Sequence, residues 1–462
     1  MTDLKDDRLW NASEAGYNVA QFVSFDPGDT PGLRHSRVIG HDLAKGDSVE
    51  RAVGAAFERW GDSANVRSFL PGQEQGNPFH YGVRTAAEAV ALVRELAAAG
   101  YHTIVNETID VRDGGVSGVL HGDLIEFGPE ATPRIVENSD VTSLRRDWGI
   151  AMLAKVYGVR LELPQRLDSR TEFSIHPGPV GYRRQRTLVW EIADKPHPPG
   201  DSVAIGGWPN AFSRFVGDKA FGLLLADVAG FRVPSALLVG RTVAPFTFGT
   251  STGTGEYWLR TCPAEKQAGR YPTVFGWQDP FVLMHDADPG EVLPDGSRRY
   301  DIASVLVQES VTAVHSGATH TEAGKVLVQG VAGVGDEFML GREAPVPLPA
   351  TVDDEVRELV TTLSDRLGRP ARIEWVHDGS HLWVVQLGVE RAEDGEPISD
   401  DRVTGWLAYD PDDGLDVLRA LLTDAGRDGK GVTVLRPVGR TSHVGELIRS
   451  AGVAARFADS GP

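Results

Sequence analysis

Lys219 follows Gly217-Asp218 at what reads as a helix start, where free backbone amides already favour an anion and a mobile ammonium adds a point charge. Arg260, in Leu259-Arg260-Thr261, offers a planar fork for bidentate contact with phosphate oxygens. Further on, Glu374 in Ile373-Glu374-Trp375 and Gln386 in Val385-Gln386 lie in two runs that a turn at Asp378-Gly379 folds into a hairpin. Facing each other there, an acid and an amide supply hard oxygen ligands of the kind Mg²⁺ takes. Each residue also has an ordinary reading: a solvated helix lysine, an arginine in a structural ion pair, exposed cross-strand neighbours. Taken together they form a candidate phosphate and metal site.

Other residues form a second pool. Arg67, in Asn65-Val66-Arg67-Ser68, is followed by Glu107, Asp110, Asp113, Glu126, Arg134 and Glu137, which suit a metal, a cationic substrate or a polar sheet face. His176 with Arg183, Arg184 and Arg186 reads as an anion-recognition cluster or as a solvated hairpin tip. His443, in Gly439-Arg440-Thr441-Ser442-His443, stands at a helix start, and a surface histidine is its ordinary reading.

Elements must position these groups. Helical periodicity marks residues 48–60, 85–99 (stopped by Gly100), 146–158, 219–229 and 352–367. Strand-like alternation marks 101–111, 116–127, 305–314, 325–331 and the hairpin 371–376 with 381–387. Interleaved helices and antiparallel hairpins predict an α+β fold. The expected segments are an irregular 1–62, an α+β domain over 63–195, a second over 208–400 and a small α/β piece over 401–462, with the Pro/Gly/His-rich stretch 195–207 as the main linker. An internal repeat is also suggested. Arg67 precedes a strand reaching Asn106-Glu107 and then Ser117-Gly118, as Arg260 precedes one reaching Gln308-Glu309 and then Ser316-Gly317.

With 46 Lys+Arg against 65 Asp+Glu, the net charge of −19 repels nucleic-acid backbones and anionic membrane surfaces, so neither is an expected partner. The single Cys262 excludes an intrachain disulfide framework and fits a reducing compartment. With no membrane-spanning apolar run and no basic-then-apolar leader pattern, a cytoplasmic location is expected.

The series Gly217-Asp218-Lys219, Val233-Pro234, Arg260, Val307-Gln308-Glu309-Ser310-Val311, Ser316-Gly317, Gly333 to Gly341, Ile373-Glu374-Trp375 and Val385-Gln386 resembles the ATP-grasp nucleotide-binding region of phosphoenolpyruvate synthase and pyruvate phosphate dikinase. The resemblance implies an ATP-grasp-like fold that binds ATP and Mg²⁺. Lys219 and Arg260 would contact phosphate, Gln308, Glu309 and Val311 would line the adenine edge, and Glu374 and Gln386 would hold the metal. Arg67 matches the family's Val-Arg-Ser phosphate contact, and His443 matches its phosphorylated histidine, so Arg67, Arg260 and His443 are the catalytic candidates. Asp218 replaces a family glycine and Thr261-Cys262 replaces serines. The implied activity is an ATP-dependent phosphotransferase acting on a small-molecule acceptor that the sequence leaves unknown. A carboxylate-amine ligase, or a nucleotide sensor without turnover, is the alternative. Nothing in the chain resembles the family's phosphoenolpyruvate-binding barrel.

Overall fold

The computed structural model describes residues 4–60, 63–71, 76–109, 113–130, 140–161, 163–164, 169–193, 205–265, 270–322, 324–390 and 403–458. Asp110, Arg134, Glu137 and most of the 195–207 linker lie outside them. The chain forms two compact units, one of residues 1–150 with 159–202 and one of 151–158 with 203–462.

In the first unit, α1 (Leu4–Glu14) leads into β1 (Phe22–Phe25) and β2 (Leu33–Arg37), then α2 (Val49–Trp60), β3 (Ala64–Phe69), β4 (Phe79–Val83), α3 (Ala86–Ala98) and β5 (His102–Glu107). These strands make one antiparallel sheet ordered β2-β1-β5-β3-β4. The described residues 4–60 are therefore not irregular: they form two helices and two strands, and Val23, Phe25 and Val53 join Val66, Val93 and Val105 in one core. Thr85 caps α3 by accepting from the Glu88 amide.

A second sheet contains β6 (Val116–His121), β7 (Leu124–Pro129), β8 (Thr142–Arg145), β9 (Arg170–Val180) and β10 (Gln185–Ala193), in the order β10-β9-β6-β7-β8, with α4 (Arg146–Tyr157) between β8 and β9. The stretch expected as a single strand over 116–127 is a hairpin, because Gly122 takes φ 55° and turns the chain. The Arg183-Arg184 segment is the β9–β10 tip, with the Arg183 guanidinium donating to the Ser13 carbonyl and Arg186 to the His176 carbonyl.

The second unit begins with the short β11 (Ile205–Gly206), α5 (Ala211–Val216) and α6 (Asp218–Val228). Then come β12 (Ala236–Gly240), β13 (Phe246–Phe248), β14 (Tyr257–Pro263), β15 (Thr273–Phe275), α7 (Pro280–Ala287), a small β16–β17 hairpin (Glu291–Val292, Arg298–Arg299) and β18 (Ile302–Glu309). Its first sheet is antiparallel and ordered β13-β12-β18-β14-β15. Residues 310–314 then lead to β19 (His315–Glu322), β20 (Lys325–Ala332), α8 (Asp336–Met339), α9 (Ala350–Leu367), β21 (Ala371–His377) and β22 (Leu382–Val389), which form an antiparallel sheet ordered β20-β19-β21-β22. Last, β23 (Trp406–Tyr409), α10 (Leu415–Asp428), β24 (Gly431–Val434), α11 (His443–Ala451) and β25 (Ala455–Phe457) make a parallel three-stranded sheet with its own core of Leu418, Val432, Val444 and Ile448. Among the described residues no helix is long and apolar enough to cross a membrane.

Candidate functional site

Gly217 precedes α6 with φ 91°, and a Cβ there would stand 2.6 Å from the Cβ of Cys262. Only glycine lets the helix start this close to β14. Lys219, the second residue of α6, makes no hydrogen bond or ion pair among the described residues. Burial holds its ammonium below the ordinary lysine range, Arg260 adds to that effect, and Cys262, Glu374 and Glu446 oppose it.

Arg260 reaches from β14 to three acceptors. One terminal nitrogen donates to the Val385 carbonyl at 2.9 Å and to Gln308 Oε1 at 3.4 Å, and the other meets Glu374 Oε2 at 3.1 Å. Glu374 and Gln386 face each other in the β21–β22 register. The next pair in that register is Trp375 with Val384, so Val385 is a bulged residue. Its carbonyl also accepts from Gln308 Nε2 at 3.3 Å.

Lys219, Glu374 and Gln386 line one narrow pocket with Arg372, Thr441 and Glu446. Its volume, about 20 Å³, has room for about one water and not for a triphosphate. Arg372 closes it by pairing with Glu446 Oε1 at 2.6 Å, both side chains largely buried. Burial works against the Glu446 carboxylate, yet Arg372, His443 and Arg449 hold its pKa at about 2. His443 opens α11, with Nδ1 3.6 Å from Glu446 Oε2, and does not itself line the pocket.

The other expected residues lie apart from it. Glu309 ends β18 under the loop 251–255, where its oxygens accept from the amides of Thr252 (2.8 Å), Gly253 (3.0 Å) and Gly255 (3.5 Å) and from the Ser251 hydroxyl (3.2 Å). Burial would raise its carboxyl, and these donors bring it below the ordinary range. Both Glu309 oxygens are thus committed to the loop. Val311 sits in the 310–314 connection between the two sheets, and its backbone makes no hydrogen bond among the described residues. Arg67 belongs to the first unit, on β3 opposite Ile104.

Two pocket residues escaped the sequence reading. Arg372 stands two before Glu374 and so on the same face of β21, and Glu446 stands three after His443 on one face of α11. Those spacings were the available signal. Among the described residues no three metal-binding side chains converge. Glu374 and Gln386 nevertheless fit an Mg²⁺ ion completed by phosphate oxygens and water, since Mg²⁺ is commonly held by one or two carboxylates plus substrate.

No protein-family model matches this chain, and no curated protein does. Solved structures align with parts of it. D-Alanine-D-Alanine Ligase from Helicobacter pylori aligns at 9% identity and TM-score 0.24 over 37% of this chain and 50% of its own. D-cycloserine synthetase DcsG aligns at 14% and 0.24 over 44% and 65%. The ADP complex of purK, N5-carboxyaminoimidazole ribonucleotide synthetase, aligns at 15% and 0.23 over 43% and 46%. The chain spans less than two thirds of the length of each.

Proposed function

We propose that the second unit is an ATP-grasp-like module that binds ATP with Mg²⁺ and belongs to an ATP-dependent enzyme. One observation carries the reading: Lys219, Glu374 and Gln386, widely separated in sequence, line one pocket, and Arg260 is bonded to Glu374. The two antiparallel sheets joined by 310–314 are the arrangement that the resemblance to phosphoenolpyruvate synthase and pyruvate phosphate dikinase implies. Lys219 and Arg260 would neutralise phosphate charge, and Glu374 and Gln386 would hold the ion that bridges phosphate oxygens. Because the pocket is narrow, nucleotide entry requires Glu446 and α11 to withdraw.

Phosphoryl transfer to His443, or directly to a small-molecule acceptor, is the leading chemistry. His443 sits one helical turn from pocket-lining Glu446, and its segment matches the family's phosphohistidine pattern. A second reading, a carboxylate-amine ligase working through an acyl phosphate, is favoured by the placement of His443 outside the pocket lining. Titrating ATP with Mg²⁺ into the wild type and Lys219→Ala, with analysis of the nucleotide products, tests the site. A base-stable, acid-labile phosphate on His443 supports transfer, and nucleotide cleavage only with an added amine supports ligation. Thermal stabilisation by ATP without cleavage marks a sensor. Absence of any ATP binding by the wild type ends the proposal.

A further inference from the structure

The two units share one plan. Each first sheet is built from two hairpins followed by a helix and a fifth strand that inserts between them, giving β2-β1-β5-β3-β4 and β13-β12-β18-β14-β15. Within the second sheets the run β10-β9-β6-β7 matches β22-β21-β19-β20, the first adding β8 beyond β7. Two antiparallel sheets repeating these strand orders are hard to reach by chance.

Matched hydrogen bonds fix the equivalence residue by residue. After α1 the Tyr17 amide donates to the Ala12 carbonyl, and after α6 the Phe231 amide donates to Ala226, each at 3.0 Å. The Val189 amide donates to Asn18 as that of Val384 does to Arg232, each at 2.9 Å. A Cβ on Gly118 would meet the Glu126 carbonyl at 2.6 Å, and one on Gly317 would meet that of Gln329 at 2.1 Å. By the β3–β5 and β14–β18 registers, Arg67 opposite Ile104 corresponds to Arg260 opposite Leu306, and Asn106 corresponds to Gln308.

The metal positions correspond as well. Val119 pairs with Glu172 as Ala318 pairs with Glu374, and Glu172 faces Glu191 as Glu374 faces Gln386. Both hairpins carry their bulge at the same place, Trp190 in one and Val385 in the other. Like charges directly opposite on neighbouring strands are unfavourable. Arg170, on the same strand, pairs with Glu172, which leaves the site with one more negative charge than the Glu374–Gln386 pair before that arginine is counted.

We infer that the chain is a tandem repeat of one two-sheet module, and that the first unit holds a second site for a magnesium-chelated nucleoside polyphosphate, with Arg67 at the phosphates and Glu172 and Glu191 at the metal. This rests on the reading of the second unit, from which the ligand class is carried across by register. Two carboxylates in place of an acid and an amide suit a divalent cation even better.

Calorimetric titration of the full chain with Mg²⁺ and a non-hydrolysable ATP analogue counts the sites. Two equivalents are expected for the wild type. Arg67→Ala weakens one of them tenfold or more and spares the other, while Lys219→Ala does the reverse. The spared equivalent reports that each variant is folded. A single wild-type equivalent that Lys219→Ala abolishes overturns the second site and leaves the proposed function standing. Binding that depends on Arg67 but not on Lys219 overturns the reading of the second unit and keeps the site in the first. No binding by the wild type overturns both.

Discussion

Arg260 and Glu374 meet at 3.1 Å, with the arginine on β14 of the five-stranded sheet and the acid on β21 of the four-stranded one, so that this ion pair ties those two sheets of the second unit together. Both side chains are mostly buried, and removing one partner leaves the other charge without compensation. Arg260→Met or Glu374→Gln is expected to cost about 2 to 3 kcal/mol each. The double substitution should cost less than the two together by about 1 kcal/mol or more. Urea unfolding of the four proteins measures this coupling, and strict additivity would show that the pair is not a tie between the sheets.

Glu446 places a carboxylate where the pocket's cations converge, 2.6 Å from Arg372. An incoming phosphate must displace that charge before it can use Arg372. Glu446→Gln is therefore expected to strengthen binding of inorganic tripolyphosphate, by roughly tenfold if about 1.4 kcal/mol of competition is removed. The same change should lower the melting temperature of the ligand-free protein, because Arg372 loses its ionic partner. Direct titration and thermal unfolding read the two effects, and a weaker affinity would mean that Glu446 helps to hold the anion.

Glu107 ends β5, and burial raises its pKa to about 7, with Arg184 and Arg59 pulling the other way. An unfolded glutamate ionises near pH 4.5, so between there and about pH 7 the unfolded chain has released a proton that the native chain still holds. This group's contribution to stability thus falls as pH rises through that window and is constant above it. The size is roughly 3 kcal/mol. Glu107→Gln is expected to remove that slope, so the difference in unfolding free energy between variant and wild type should grow from pH 4.5 to 7. A difference independent of pH would place the Glu107 carboxyl in water.

Much of this arrangement was legible in the sequence, where local chemistry decided it. The period of residues 85–99, stopped by Gly100, gave α3, and Asp378-Gly379 between two alternating runs gave the hairpin that sets Glu374 opposite Gln386. Long-range pairing was less visible. Nothing local reveals that the fifth strand of each first sheet inserts between two earlier hairpins, and that insertion brings Arg260 beside Gln308. The resemblance implies that Glu309 lies with Gln308 at the lip of an adenine-facing strand edge. Its engagement with the 251–255 amides depends on a loop 54 to 58 residues earlier in sequence, which no pattern around position 309 encodes. The repeat was suggested by only a few matched residues, since two copies of a fold can keep strand order and bulge position while most side chains diverge.

Gly222 lies in the middle of α6, where a Cβ would stand 2.1 Å from the Leu387 carbonyl and 3.1 Å from the Trp208 ring. In an open helix, replacing glycine by alanine gains about 1 kcal/mol. At this position the added methyl must push α6 away from β22, and overpacking of that kind costs about 1 to 3 kcal/mol. Gly222→Ala is therefore expected to be destabilising. Gly426→Ala in α10, where the added methyl meets nothing within 4 Å, should be stabilising by up to about 1 kcal/mol. The comparison separates helix propensity from close packing. Lys219 lies one turn before Gly222, and Gln386 is next to Leu387, so the same shift should pull the ammonium away from the hairpin and weaken ATP binding several-fold. Thermal unfolding and ATP titration of the two variants measure both effects, and a stabilised Gly222→Ala with unchanged binding would mean that α6 does not press on β22 in solution.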